Sequence, residues 1–203
     1  MVSSSRRSRV AVLISGRGSN MMNLVDASLD ADYPAEVVLV VSDKANAPGL
    51  DWAKNRGLTT ALLDYQTRSL AESQLDSLLQ QEKIDIICLA GFMRLLSAWF
   101  VDRWLGKIIN IHPSLLPSFP GAQAHQDAIS AGVRVSGCTL HFVDQGLDTG
   151  AIIDQRAVAL DVNETQDSLA SKVLRLEHEL YPIGLAQVAA QQVQLIDGKA
   201  VWR

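Results

Sequence analysis

A β-α rhythm constrains this chain more than any other feature of its sequence. Apolar runs with strand composition, over 9–15, 36–41, 59–63, 84–90 and 107–111, alternate with helical patterns over 20–31, 48–56, 69–81 and 97–104. In the first run Val10, Ala11, Val12, Leu13 and Ile14 leave no polar side of the pleat. Such a strand must be covered on both faces, as in a parallel sheet. Each parallel pairing needs a crossover, and the intervening helices supply it with right-handed connections. The reading is an α/β fold: a mostly parallel twisted sheet with helices on both faces.

The second half departs from the rhythm. A Pro-rich loop (Pro113, Pro117, Pro120, Gly121) leads to a helix over 122–131, then two strands over 135–143 and 151–160 separated by a Gly/Asp loop. Two strands joined so closely imply antiparallel pairing in the C-terminal half. A long helix over 165–191 follows, and Asp197-Gly198 between two short apolar runs is a type I′ hairpin signal. No repeat, linker or composition shift divides the chain, so residues 9–203 read as one domain behind a flexible Ser/Arg-rich tail over 1–8.

Composition closes several function classes. An apolar content of 48% supplies a full core and excludes a disordered chain. Eighteen Lys and Arg against 22 Asp and Glu give a net charge of −4, against a nucleic-acid partner. A small anionic ligand stays open, because backbone N–H groups alone can hold a phosphate. Cys88 and Cys138 sit in apolar runs and read as buried reduced thiols. No segment resembles a signal peptide or a membrane span, so the expectation is a soluble, cytoplasmic protein with no membrane partner. Histidines 112, 125, 141 and 178 have no metal-ligand spacing, and no metal is expected.

Three segments fall just past predicted parallel strands, where open α/β sheets bind ligands. Gly16-Arg17-Gly18-Ser19-Asn20 lets the chain turn tightly and aims N–H groups of the next helix at an anion. Met21 stands where a dinucleotide fingerprint needs glycine, although Asp43 after the second strand could serve as its ribose acid. Taken alone, the segment fits a phosphate cradle and a plain capped turn equally. Phe92, Met93, Leu95 and Leu96 could line a pocket for a flat aromatic ligand, but alone read better as core under a loop. Asn110 and His112, two apart on an extended segment, point to one side. An amide beside an imidazole suits holding a developing oxyanion and passing a proton. A fourth segment, His141 to Gly150, forms a tight loop from which an acid could reach His112.

Gly-x-Gly-Ser-Asn at 16–20, Ala-Gly-Phe-Met-Arg at 90–94, Asn-Ile-His-Pro-Ser-Leu-Leu-Pro at 110–117 and His-Phe-Val-Asp-x-Gly-Leu-Asp-x-Gly at 141–150 occur in one order. With Glu177-His178-x-Leu180-Tyr181-Pro182 they resemble the phosphoribosylglycinamide formyltransferases, from about Arg9 to the last residue. The resemblance implies a Rossmann-like formyltransferase fold and formyl transfer from 10-formyltetrahydrofolate to glycinamide ribonucleotide by direct amine attack, without metal. It implies Asn110, His112 and Asp148 as the catalytic trio. Gly18, Ser19 and Asn20 would hold the 5′-phosphate and Glu177 the ribose. Arg68, Met93, Arg94, Leu95, Leu96, Asn110 and Asp144 would surround the folate. The expected partners are these two small molecules, in a monomer or homodimer.

Departures and rivals are also legible. The family usually has His where this chain has Gln123. A formyltetrahydrofolate hydrolase would use the same trio with water as nucleophile. In the family it usually carries an extra N-terminal domain, for which the residues before the first strand are expected to leave no room. Methionyl-tRNA and sugar-nucleotide formyltransferases normally carry further domains as well. A nucleotide-binding module without chemistry would leave His112 structural.

Overall fold

The computed structural model describes residues 6–203, so the first five residues of the expected tail lie outside the described ones. The next three are engaged. Arg6 pairs with Asp85 at 2.9 Å, Arg7 donates to the carbonyls of Ser28 and Ala35, and Ser8 opens the first strand.

In chain order the elements are β1 (Ser8–Ile14), α1 (Ser19–Ala27), β2 (Ala35–Ser42), α2 (Pro48–Asn55), β3 (Thr59–Leu62), α3 (Arg68–Gln81), β4 (Ile86–Leu89), α4 (Ala98–Arg103) and β5 (Ile108–His112). Then come α5 (Ala124–Ser130), β6 (Val135–Phe142), β7 (Ile152–Ala159), α6 (Gln166–Ala189), β8 (Val193–Ile196) and β9 (Lys199–Trp202). Seven strands form one sheet in the order β3-β2-β1-β4-β5-β6-β7. The first five are parallel, while β5–β6 and β6–β7 are antiparallel. The predicted α/β architecture and its antiparallel C-terminal strands are both present. Asp197 and Gly198 have φ of 50° and 72°, the geometry of the expected type I′ turn between β8 and β9.

The apolar first strand works as its composition requires. Val10, Val12 and Ile14 pack on one side of the sheet with Met21, Leu24, Leu180 and Tyr181. Ala11 and Leu13 face the other side with Leu75, Leu79, Phe100 and Trp104. Alternate residues therefore feed two separate cores, which anchor the sheet rigidly beneath its carboxyl edge. One boundary differs from expectation by more than two residues. The first helix stops at Ala27 rather than residue 31, where Ser28 Oγ donates to the Val25 carbonyl and Asp30 accepts from the Asp32 N–H. These short side chains offer the backbone an alternative to another helical turn.

Helix α6 ties the site region together. Tyr181, fully buried, donates its hydroxyl to the carbonyls of Leu89 and Ile109 at 3.0 and 3.2 Å, clamping β4 against β5 from above. Cys88 and Cys138 are free and buried, and burial pushes both thiols up to about 12. Among the described residues no helix is long and apolar enough to cross a membrane.

Candidate active site

A cleft of about 930 Å³ opens along the carboxyl ends of β1, β4 and β5. Every site residue that the resemblance implies lines it: Gly18, Ser19, Asn20, Arg68, Met93, Arg94, Leu95, Leu96, Asn110, His112, Asp144, Asp148 and Glu177.

The loop after β1 is set by close backbone approach. Gly18 has φ of 74°, in the left-handed region, and forms the cap of α1. Gly49, at the start of α2, donates to the Gly16 carbonyl at 3.2 Å, and a Cβ there would lie 2.9 Å from the Arg17 carbonyl oxygen. The first turn of α1 carries no acidic residue that would compete with an anion for its N–H groups. Asn20 reaches across the cleft wall to donate Nδ2–H to Glu177 Oε2 at 2.7 Å, while its Oδ1 is buried without a partner. Burial raises the Glu177 carboxyl to about 7, with the Asn20 hydrogen bond opposing the shift.

The loop after β4 is irregular from 91 to 97. Met93 N–H donates to Ser15 Oγ at 2.9 Å, which ties this loop to the one after β1. Met93 and Leu95 remain two-thirds exposed, at 67% and 64%. Arg68 contacts Glu72 through Nε at 3.2 Å, and Arg94 contacts Asp43 through Nε at 2.6 Å. Asp43 is therefore buried beneath an arginine, and the ribose role open to it in the sequence has no support in this geometry.

The third group is the densest. His112 Nε2–H donates to the Phe119 carbonyl at 2.9 Å, and Nδ1 lies 3.3 Å from Asp148 Oδ2. The same Asp148 oxygen accepts the Gly121 N–H at 2.8 Å, so the β6–β7 loop and the Pro-rich loop meet on this carboxylate. His141, given no role from the sequence, completes the group. It faces Asn110 directly across the β5–β6 ladder, and its Nε2 lies 3.8 Å from Asp148 Oδ1. Burial lowers its pKa, against the Phe142 hydrogen bond and the Asp148 charge, so the ring is neutral near pH 7. Its Nδ1–H donates to the Phe142 carbonyl at 2.8 Å, which leaves Nε2 as the acceptor for Asn110 Nδ2–H at 3.1 Å. That bond fixes the Asn110 amide and leaves one N–H to donate into the cleft.

Two other placements bear on the sequence reading. Asp144 Oδ1 accepts from the Gly146 N–H and the Thr149 hydroxyl at 3.0 and 2.8 Å, so it shapes its own loop while lining the cleft. Gln123 is exposed at the N-cap of α5 and does not line the cleft, whereas His125 does. Gln123→His is accordingly expected to leave the single-turnover rate within a few-fold of the parent. A hundredfold rise would mean that the chain lacks a needed histidine. Among the described residues no group of three or more His, Cys, Asp or Glu is placed to hold a metal ion.

Comparison with known proteins gives this geometry a family. The formyl transferase family profile matches residues 8–185. Phosphoribosylglycinamide formyltransferase from Bacillus subtilis is 37% identical, over 89% of this chain and 94% of the relative. The crystal structure of phosphoribosylglycinamide formyltransferase from Anaplasma phagocytophilum has a TM-score of 0.90 at 42% identity, covering 96% of this chain and 92% of that one. The human trifunctional purine biosynthetic protein adenosine-3 is 45% identical over 97% of this chain, which spans only 20% of that protein's length. The chain belongs to the formyl transferase family, among the phosphoribosylglycinamide formyltransferases.

Proposed function

We propose that this chain transfers the formyl group of 10-formyltetrahydrofolate to the primary amine of glycinamide ribonucleotide, a step of purine biosynthesis. The convergence of Asn110, His112 and Asp148 on one wall of the cleft carries the reading. The cleft's other parts fit the two substrates. A glycine loop at a helix N-terminus suits a phosphate monoester, and Glu177 beside Asn20 suits ribose hydroxyls. Phe92, Met93, Leu95 and Leu96 with the guanidinium groups of Arg68 and Arg94 suit a flat ring system ending in carboxylates.

The formyl folate supplies an activated one-carbon electrophile. As the amine adds to the formyl carbon, negative charge develops on the formyl oxygen. Asn110 donates its remaining N–H to that oxygen, pre-aimed by His141 and needing no reorganisation. His112 brings its imidazole to the same wall, with the Asp148 carboxylate 3.3 Å from Nδ1 to balance positive charge on the ring as the oxyanion forms. The Phe119 carbonyl and Asp148 together hold the ring in one orientation. The adduct collapses as the bond from the formyl carbon to the folate nitrogen breaks, and Asp148, directly or through a water, passes a proton from the attacking amine to that leaving nitrogen. Gly18, Ser19, Asn20 and Glu177 hold the nucleophile's phosphoribosyl handle, which makes amine attack effectively intramolecular. Arg68, Met93, Arg94, Leu95, Leu96 and the Asp144–Asp148 loop hold the folate. On this reading the partners are these two small molecules, with neither nucleic acid nor membrane, and the protein acts in the cytoplasm.

The test is folate deformylation followed with and without glycinamide ribonucleotide, before and after exhaustive chelation. Turnover that requires the amine and survives chelation is expected. Turnover without the amine would make the chain a hydrolase, and no turnover under either condition would leave a binding module. A loss restored only by a divalent ion would overturn the metal-free mechanism.

A further inference from the structure

We propose that Asp43 is a positioning residue: it holds the Arg94 guanidinium so that its free edge reads a carboxylate at the anionic end of the folate. This rests on the function proposed above. Asp43 follows β2, two strands away from the β4 loop that carries Arg94. Its side chain has 0% exposure, and Oδ2 accepts Arg94 Nε–H at 2.6 Å while Oδ1 has no partner. A buried carboxylate with one oxygen unsatisfied is a poor device for stability, because desolvation offsets most of the attraction. Its geometric consequence is the better account of it.

Arg94 needs such a device. It sits in a segment without helix or strand, between two largely exposed apolar neighbours, where an arginine would sample many rotamers. The contact to Asp43 uses Nε only and leaves the two terminal nitrogens free. The Tyr65 ring lies 5.4 Å from Arg94 Cζ, and Phe92 packs edge-on against Tyr65 at 5.8 Å, forming an aromatic backing. Arg68 repeats the arrangement on the same cleft, its Nε held by Glu72, whose side chain is 1% exposed. Two guanidinium groups, each gripped from behind by a buried acid, present two open edges to a dicarboxylate. The terminal glutamate of a folate is one.

Binding measured by calorimetry tests this, using a 10-formyl folate and the matching pteroyl amide, which ends without a carboxylate. Asp43→Ala is expected to weaken the folate about tenfold and the amide less than about twofold, with kcat at saturation nearly unchanged. Asp43→Asn keeps an acceptor for Nε–H and should stay within about threefold of the parent for both ligands. Arg94→Lys keeps the charge, loses the Nε contact, and should match Asp43→Ala whether or not that variant folds well. The Asp43→Ala/Arg94→Ala pair should lose no more than Arg94→Ala alone. Equal weakening of both ligands by Asp43→Ala, Arg94→Lys indistinguishable from the parent, or losses that multiply in the pair would each overturn the proposal. A parent that neither binds the folate nor formylates the ribonucleotide would instead remove the functional reading beneath it.

Discussion

Asp148→Asn and His112→Ala are each expected to lower kcat by about a thousandfold, and the pair by little more than either alone. The carboxylate of Asp148 has two jobs that the asparagine separates. Its bond from the Gly121 N–H, at 2.8 Å, can be kept by an amide oxygen, so the loop should stay in place. Its charge beside His112 Nδ1, at 3.3 Å, is lost, and with it the charged partner that holds and balances the ring. His112→Ala removes the ring on which that charge acts. If Asp148 works through His112, the second mutation finds nothing left to remove. Affinity for glycinamide ribonucleotide, anchored at Gly18, Ser19 and Asn20, should change less than about threefold in all three variants. The check is a double-mutant cycle on single-turnover rates with saturating substrates. Losses that multiply to about a millionfold would mean that Asp148 acts on the substrate independently.

The kind of contact each site residue makes decides whether the sequence alone reveals it. Asn110 and His112 are legible because two-residue spacing on a strand is a local fact, and β5 places both at the cleft. The loop at 16–20 is legible because its glycines are demanded by backbone conformation at Gly18. His141 is a different case. Its partnership with Asn110 depends on the register of an antiparallel pair joined through a long connection, and register is set by the whole sheet. A period-2 reading of β6 would put His141 on the face of Thr139, but nothing local says which strand lies opposite. Asp43 and Arg94 are 51 residues apart, and only the β3-β2-β1-β4 order brings their loops together. Asp144 has the reverse problem. Its residue type suits a binding role, yet its Oδ1 is taken by the local turn it forms with Gly146 and Thr149. The fold was legible nearly throughout because alternating apolar runs and helical periods are local, while the overlong first helix failed where Ser28 and Asp30 compete for the backbone.

Gly150→Ala is expected to destabilise the protein by about 3 kcal/mol or more and to lower kcat of the remaining folded enzyme by about a hundredfold. Gly150 closes the base of the loop that carries Asp148, next to the bond from the Phe142 N–H to the Ala151 carbonyl at 2.9 Å. A Cβ at 150 would stand 1.8 Å from the Phe142 carbonyl oxygen and 3.2 Å from the Asp144 nitrogen. Those are backbone atoms, which cannot swing away as a side-chain tip would. The two strands must therefore part at the point where the loop leaves the sheet. His141 Nδ1 donates to that same Phe142 carbonyl, so its displacement also loosens the imidazole that aims Asn110. Both the oxyanion donor and the Asp148–His112 pair are thus tied to one close backbone approach. A shift of about 1 Å at such groups typically costs about a hundredfold in rate. Thermal unfolding and single-turnover kinetics on the variant, below its melting temperature, give the two readouts. Ribonucleotide affinity should hold, since the phosphate loop lies on the far side of β4 from this junction. A variant with parental melting temperature and rate would mean that the loop base accommodates a methyl group, and that the geometry of Asp148 is not set there.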